Sequence, residues 1–310
     1  MNAAASSDEK VMAALAHGSI FLMFLGPVVP VIVWASQRKK SKYVSFHALQ
    51  AMGYQALSFW LWIAVGILVA LLSLFLIPLA GTLMKDPQDA ATIPFLFQVP
   101  IFLGIFGWMA LSFAIGIAGA VFCLIGRDFR YPILGKWLER YLSYDANPES
   151  QIPEEREDNW VAGICHATAI LQLWGVVTPL VVWFSQRERS AHLRFQSLQA
   201  FFYQAVAFAV YMLGMAVYML FFLGMIVTLA IGGSLGERAD LQGAPGLLMT
   251  LFFGVMIVFW LLVMVLMPIY YLLAGYASMR TIRGHHFRYP LLGKLLEKRM
   301  GLRQTPEVTS

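Results

Sequence analysis

The chain has 310 residues, of which 59% are hydrophobic and only 13% are Asp, Glu, Lys or Arg. A soluble domain carries about 25% of those charged types, and residues 43–84 and 195–236 contain none of them. Such runs leave no solvated helix face, which excludes a water-soluble fold and indicates an integral membrane protein. The net charge of +5 comes without a basic stripe interleaved with aromatics, so nucleic acid is not an expected partner. Basic loops held on the cytoplasmic side account for it.

In chain order, the first apolar stretch is 11–36, preceded by Asp8, Glu9 and Lys10. That acidic flank, with no small-residue cleavage site after it, reads against a signal peptide, and the N-terminus is expected to stay in the mature protein. Gly26-Pro27 and Pro30 interrupt the stretch, and a proline removes a helical hydrogen bond. The basic loop Arg38-Lys39-Lys40-Ser41-Lys42 follows, then apolar stretches at 48–84 and 90–126. Phe129-Arg130-Tyr131-Pro132 comes next, leading into Ile133, Leu134, Trp137, Leu138, Tyr141 and Leu142 at helical spacing, opposite Lys136, Glu139 and Arg140. That pattern predicts an amphipathic helix along the membrane surface, with Trp and Tyr at headgroup depth.

The same order then recurs. A shift of 149 positions superposes His17 on His166, Gly26 on Gly175, Pro30 on Pro179, Trp34 on Trp183 and Tyr54-Gln55-Ala56 on Tyr203-Gln204-Ala205. A shift of 158 superposes Phe129–Pro132 on Phe287–Pro290 and Leu134-Gly135-Lys136 on Leu292-Gly293-Lys294. The expected domains are therefore two membrane repeats, 8–144 and 157–300, with a polar acidic linker at 145–156 and a disordered tail at 301–310.

The charges also count the crossings. Three spans per repeat would divide Lys and Arg 12 to 10 across the bilayer. If the first stretch of each repeat instead enters and leaves by one face, every Lys and Arg but Lys85 and Arg238 falls on one side, 20 of the 22. The positive-inside rule selects the second arrangement. Half-helices of about 12 residues reach only about 18 Å, too short to cross. The expected fold is thus an all-α polytopic transmembrane helical bundle of two tandem repeats. Each has two full spans, one Pro/Gly-broken re-entrant hairpin and a closing amphipathic helix, with both termini cytoplasmic and the chain in a bacterial inner membrane. Parallel repeats about a pseudo-two-fold axis would place any shared site on that axis.

His17 and His166 occupy matching places in the first stretch, and an ionisable group at membrane depth is a functional-site hypothesis by default. The competing reading is that each imidazole bonds a carbonyl freed by the helix break. His47, Gln50 and Tyr54 share one helix face, and Gln199 and Tyr203 repeat the last two. These seven residues are the candidate axial polar set, with interhelical hydrogen bonding as the plainer reading. Cys123 and Cys165 have no His at ligand spacing along the chain, so neither metal nor disulfide is expected. No catalytic motif appears, and neither an enzyme nor a cofactor is expected. The lipid bilayer is the expected partner, with anionic lipid a candidate at the basic loops and a membrane protein a candidate alongside.

An early Ala16-His17, a Pro-interrupted stretch ending in Trp34, Phe46-His47-Ala48-Leu49-Gln50 and Phe129–Pro132 make a pattern repeated by Cys165-His166, Trp183, Phe195–Gln199 and Phe287–Pro290. It resembles the Tic-twenty-like family of bacterial membrane proteins of unknown function, distantly grouped with a chloroplast protein-import channel subunit. That resemblance implies a scaffold, assembly or translocation-associated role. A small-molecule transporter or channel with its site between the repeats is the alternative. A sealed apolar junction between the repeats would favour the first and a hydrated cavity the second.

Overall fold

A computed structural model describes residues 5–83, 87–144, 151–234 and 244–301, and among them every regular element is helical. The linker residues 145–150 and the tail after Gly301 lie outside the described residues, as do Lys85 and Arg238. Five helices are long and apolar enough to cross a membrane: Lys42–Leu76, Ile101–Leu124, Glu154–Gln186, Ala191–Thr228 and Met249–Ile282. The chain is a multi-pass membrane protein, with side chains such as Leu74 and Phe75 turned outward, 70% and 76% exposed.

The N-terminal helix α1 (Ser7–Gly18) begins at a capping box, in which Ser6 Oγ accepts from Glu9 N–H and the Glu9 carboxylate accepts from Ser6 N–H. This pairing satisfies two donors left open at a helix start. A 3-10 segment, Ser19–Leu25, follows, with Met23 at φ 49, before α2 (Val28–Gln37). Gly26 is required where the chain doubles back, because a Cβ there would meet Gln55 Oε1 at 2.7 Å and Met23 O at 2.9 Å. The second copy breaks alike: α6 (Glu154–Ala167), a 3-10 segment Thr168–Val176 with Gln172 at φ 51, and α7 (Val177–Gln186). Glu154–Gln186, a span by length and composition, is therefore a bent element.

Between and after these lie the long helices α3 (Lys42–Leu83), α4 (Pro87–Leu124), α8 (Ala191–Ser234) and α9 (Ala244–Ile282), and the short α5 (Leu134–Tyr141) and α10 (Leu292–Met300). Side-chain contacts bring the helix ends together on one face. The Glu9 carboxylate at the start of α1 bonds Ser41, just past α2, and the Lys10 chain crosses Gly126, just past α4. Asn159, early in α6, reaches Gly284 after α9.

The amphipathic pattern does form helices α5 and α10, each preceded by a residue at positive φ, Ile133 and Leu291. Leu138 and Leu142 face the protein core rather than a lipid surface, and both are fully buried. The outward apolar residues include Ile133 and Trp137 in the first copy and Leu291 and Leu295 in the second.

The repeats meet through apolar packing. One buried cluster takes in Val31, Trp34, Leu49 and Met52 from the first and Trp160, Val161, Cys165 and Val182 from the second. The Trp160 indole N–H donates to Leu49 O (3.0 Å) and the Trp60 indole to Ala167 O (2.9 Å). The contacts are uneven. Helix α3 packs on α6 and on the Thr168–Val176 segment, while no comparable packing joins α8 to α1. A strict two-fold axis would make each contact twice, so the expected pseudo-two-fold does not extend to the packing.

Part of the stretch read as an acidic linker belongs to this junction. Glu154, Glu155 and Glu157 form the first turn of α6, where the helix dipole favours negative charge. Lys39 of the basic loop reaches Glu154 (3.1 Å), and Arg38 reaches the end of the turn: Nε lies 3.4 Å from the Glu157 carboxylate and Nη2 2.8 Å from that of Asp158, while Nη1 donates to Gln186 Oε1 (3.0 Å). The Arg38 guanidinium also stacks on Trp34. Local composition gives no sign of such partners, because they stand about 120 residues away along the chain.

Candidate functional site

The polar stripe of α3 faces α1 and the Phe129–Pro132 segment. Gln50 clamps that segment with both ends of its amide: Nε2 donates to Phe129 O (3.1 Å) and Oε1 accepts from Tyr131 N–H (2.8 Å). Tyr54 stacks on the Tyr131 ring at 3.8 Å and 7°, and its hydroxyl donates to Ser112 O. So held, Tyr131 OH points at His17 Nδ1 (2.8 Å), His17 Nε2 meets His47 Nδ1 (3.0 Å), and His47 Nε2 meets Asp128 Oδ1 (3.0 Å). Both imidazoles are fully buried, whereas Asp128 is about half exposed.

Donor chemistry sets the direction of this chain. A carboxylate only accepts, so His47 carries its proton on Nε2 and leaves Nδ1 as acceptor. His17 then donates from Nε2, and Tyr131 donates to His17 Nδ1. Burial pushes the Asp128 carboxyl up, but the His47 bond and the adjoining Arg130 outweigh it and bring its pKa down to about 2. Arg130 bonds both Asp128 oxygens and lies over the Phe46 ring. Cys123 Sγ, fully buried, sits 3.5 Å from His47 Nδ1.

The second repeat keeps the frame and changes the contents. Gln199 Nε2 donates to Phe287 O (3.1 Å) and its Oε1 accepts from Tyr289 N–H (2.9 Å). Tyr203 stacks on Tyr289 at 3.9 Å and bonds Tyr270 O. Tyr289 OH meets His166 Nδ1 (3.2 Å), but His166 Nε2 ends on Gln196 Oε1 (3.0 Å). The chain stops there. Thr281 and His286 stand where the first repeat has Cys123 and Asp128, and His286 turns to Glu297 and stacks on Phe195.

Of the seven candidates, His17, His47, Gln50 and Tyr54 gather in the first repeat and His166, Gln199 and Tyr203 in the second. No hydrogen bond between the two groups occurs among the described residues. A cavity of about 70 Å³ lies between the Ser19–Leu25 segment, α3 and α4, lined by Phe24, Gln55, Trp62 and Trp108 among others, and neither His17 nor Tyr54 lines it. The carbonyls freed at the helix breaks are taken by other groups. Gln55 Nε2 and Ser19 Oγ donate to Ala16 O, and Gln204 Nε2 and Thr168 Oγ1 donate to Cys165 O. Sequence reasoning did not bring Asp128, Cys123 or the hydroxyls of Tyr131 and Tyr289 to the site. Comparing the two copies position by position would have marked 47, 123 and 128 as places where the repeats differ.

The fold and site define a polytopic α-helical membrane protein with two related buried Tyr–His clusters. The chain belongs to the magnetosome magnetite crystal formation protein family (MamF/MmsF), whose family model matches it over residues 8–138 and again over 157–296. This overturns the resemblance to the Tic-twenty-like family, since the motifs that carried it all lie inside the two matched segments. No curated protein and no solved structure matches the chain.

Proposed function

We propose that this chain is a scaffold or assembly component of the magnetosome membrane that supports magnetite crystal formation. The observation that carries the reading is the family match over nearly all of both repeats. The apolar cluster shared between the repeats supports it over transport through an axial cavity. The reading includes no catalytic step.

In the proposed topology each repeat has two full spans and one re-entrant hairpin, and both termini lie on the face of the basic loops, which the positive-inside rule makes cytoplasmic. The joined helix ends support it, as does the bend at Met23 and Gln172. Broken backbone of this kind needs protein partners at membrane depth, and Gln55 and Gln204 supply them.

The test is deletion of the chain with complementation, reading crystal number and size by electron microscopy, together with mild-detergent co-purification and mass spectrometry. Altered crystals and a reproducibly recovered membrane-protein partner are expected. Unaltered crystals and no partner would overturn the scaffold role. Labelling of cysteines placed at 39–42 by an impermeant reagent from the non-cytoplasmic side would overturn the topology.

A further inference from the structure

We propose that His17, His47 and Cys123 form a tetrahedral site for a divalent first-row transition ion of borderline softness, such as Fe2+, Co2+ or Zn2+. The site is internal to the first repeat and does not depend on the topology above. His17 Nε2, His47 Nδ1 and Cys123 Sγ all lie within 4.8 Å of one another. Metal–nitrogen bonds of about 2.1 Å and a metal–sulfur bond of about 2.3 Å in a tetrahedron separate nitrogen from nitrogen by about 3.4 Å and nitrogen from sulfur by about 3.6 Å. The observed separations from His47 Nδ1 are 3.0 Å to His17 Nε2 and 3.5 Å to Cys123 Sγ. A small spreading of the two rings therefore makes room for the ion. Two imidazoles and a thiolate suit this class of ion and not Mg2+ or Ca2+, which take oxygen ligands.

The surroundings are those of a ligand set. Metal-binding imidazoles are usually held on the far nitrogen by a carboxylate or other polar group. Here Asp128 holds His47 Nε2 and Tyr131 OH holds His17 Nδ1. Binding replaces the Cys123 S–H proton, which leaves to solvent. The His17 proton moves from Nε2 to Nδ1, and Tyr131 turns from donor to acceptor. Ion, thiolate and the Asp128 carboxylate then sum to zero charge. Tyr43 OH, beside Cys123 and buried without a nitrogen or oxygen partner, offers a further donor.

The second repeat is an internal control. Packing around His166 is satisfied there by Gln196, with Thr281 bonded to its own helix, so the fold does not require a second histidine, a thiol or a carboxylate. Room differs as well. Gly119 lets the His17 ring approach, since a Cβ there would meet its Cγ at 3.2 Å, and the matching position is Ala277.

The experiment is a Co2+ titration of the full-length, tag-free chain in detergent after chelator treatment. One Co2+ per chain is expected, with a thiolate charge-transfer band and the intense visible bands of tetrahedral cobalt, both bleached by Zn2+. Cys123→Ser should remove the charge-transfer band and Cys165→Ser should leave it. Asp128→Asn should weaken binding about 10–100-fold. His47→Gln, which installs the second repeat's residue, should abolish tetrahedral binding. Absence of the bands in the wild type, or their survival in Cys123→Ser, would overturn the site. Should a variant fail to fold, X-ray absorption of the Zn2+-loaded wild type decides: a shell with sulfur and imidazole supports the site, and a shell of oxygen and nitrogen alone overturns it.

Discussion

In the first repeat Gln50 grips the backbone of Phe129 and Tyr131 with both ends of its amide, and in the second Gln199 does the same to Phe287 and Tyr289. The histidines inside these frames keep different company. His17 leads on through His47 to a half-exposed carboxylate, while His166 ends on a buried amide. The comparison separates two jobs. The clamp and the Tyr–Tyr stack hold the segment after the last span against the bundle, and they recur. Positions 47, 123 and 128 bear an imidazole, a thiol and a carboxylate in the first repeat, and they differ in the second.

The two basic loops differ even more, and breaking one ion pair should have the largest effect. Arg38 is nearly fully buried between Glu157 and Asp158, whereas Arg187 pairs with an exposed Glu188. Arg38→Ala strands a buried carboxylate and should cost about 3–5 kcal/mol. Arg187→Ala should cost less than about 1 kcal/mol. Denaturant titration of the detergent-solubilised chain measures both, and equal losses would erase the distinction between the loops.

Next come the clamps. Gln50→Leu leaves the buried Tyr131 N–H without its partner, at about 1–3 kcal/mol, while the Phe129 carbonyl keeps the Arg130 guanidinium and its counterpart Phe287 keeps Gln196. Gln199→Leu should cost the same within error. A clear inequality would mean that the two frames are not equivalent.

A smaller effect is expected at Gly53, over which Trp160 packs so closely that a Cβ would meet its Cζ2 at 2.2 Å. The counterpart, Phe202, is 39% exposed. Gly53→Ala should destabilise by about 1–3 kcal/mol through overpacking, with Phe202→Ala nearly silent in the same titration. A silent Gly53→Ala would place the junction elsewhere.

The smallest effect is one of pH, at the position where the first repeat has Asp128. Burial lowers the pKa of His286 below the ordinary 6.5, and Arg288 adds to this, while Glu297 opposes it without prevailing. The unfolded chain therefore binds more protons than the folded one in the window just below 6.5. Stability should fall as pH drops through that window and be unaffected by this group above it. His286→Asn should remove its part of the slope, and an unchanged slope would count against the burial.

Much of this was legible in the sequence. The duplication, the Gly26 and Gly175 breaks and the inward-facing stripe of α3 all come from local spacing, because helix periodicity and proline chemistry act over a few residues. The Arg38 pairs and the approach of Cys123 and Asp128 to His47 were not legible. They join residues that only the packing of α1, α3 and α4 or of the two repeats brings together. The family was misread for a related reason: short motifs such as Phe-Arg-Tyr-Pro state what the backbone clamp needs and say little about lineage.

The broken first stretch has a further consequence for shape. In the topology proposed above, a hairpin turning back at half depth would give each repeat four helical segments in the leaflet near the basic loops, α1 to α4 or α6 to α9, and only two in the far leaflet. A protein so arranged would be a wedge, broad on one side and narrow on the other. Inserted in number, such wedges would spread one leaflet more than the other and bend the bilayer so that the basic-loop face is convex.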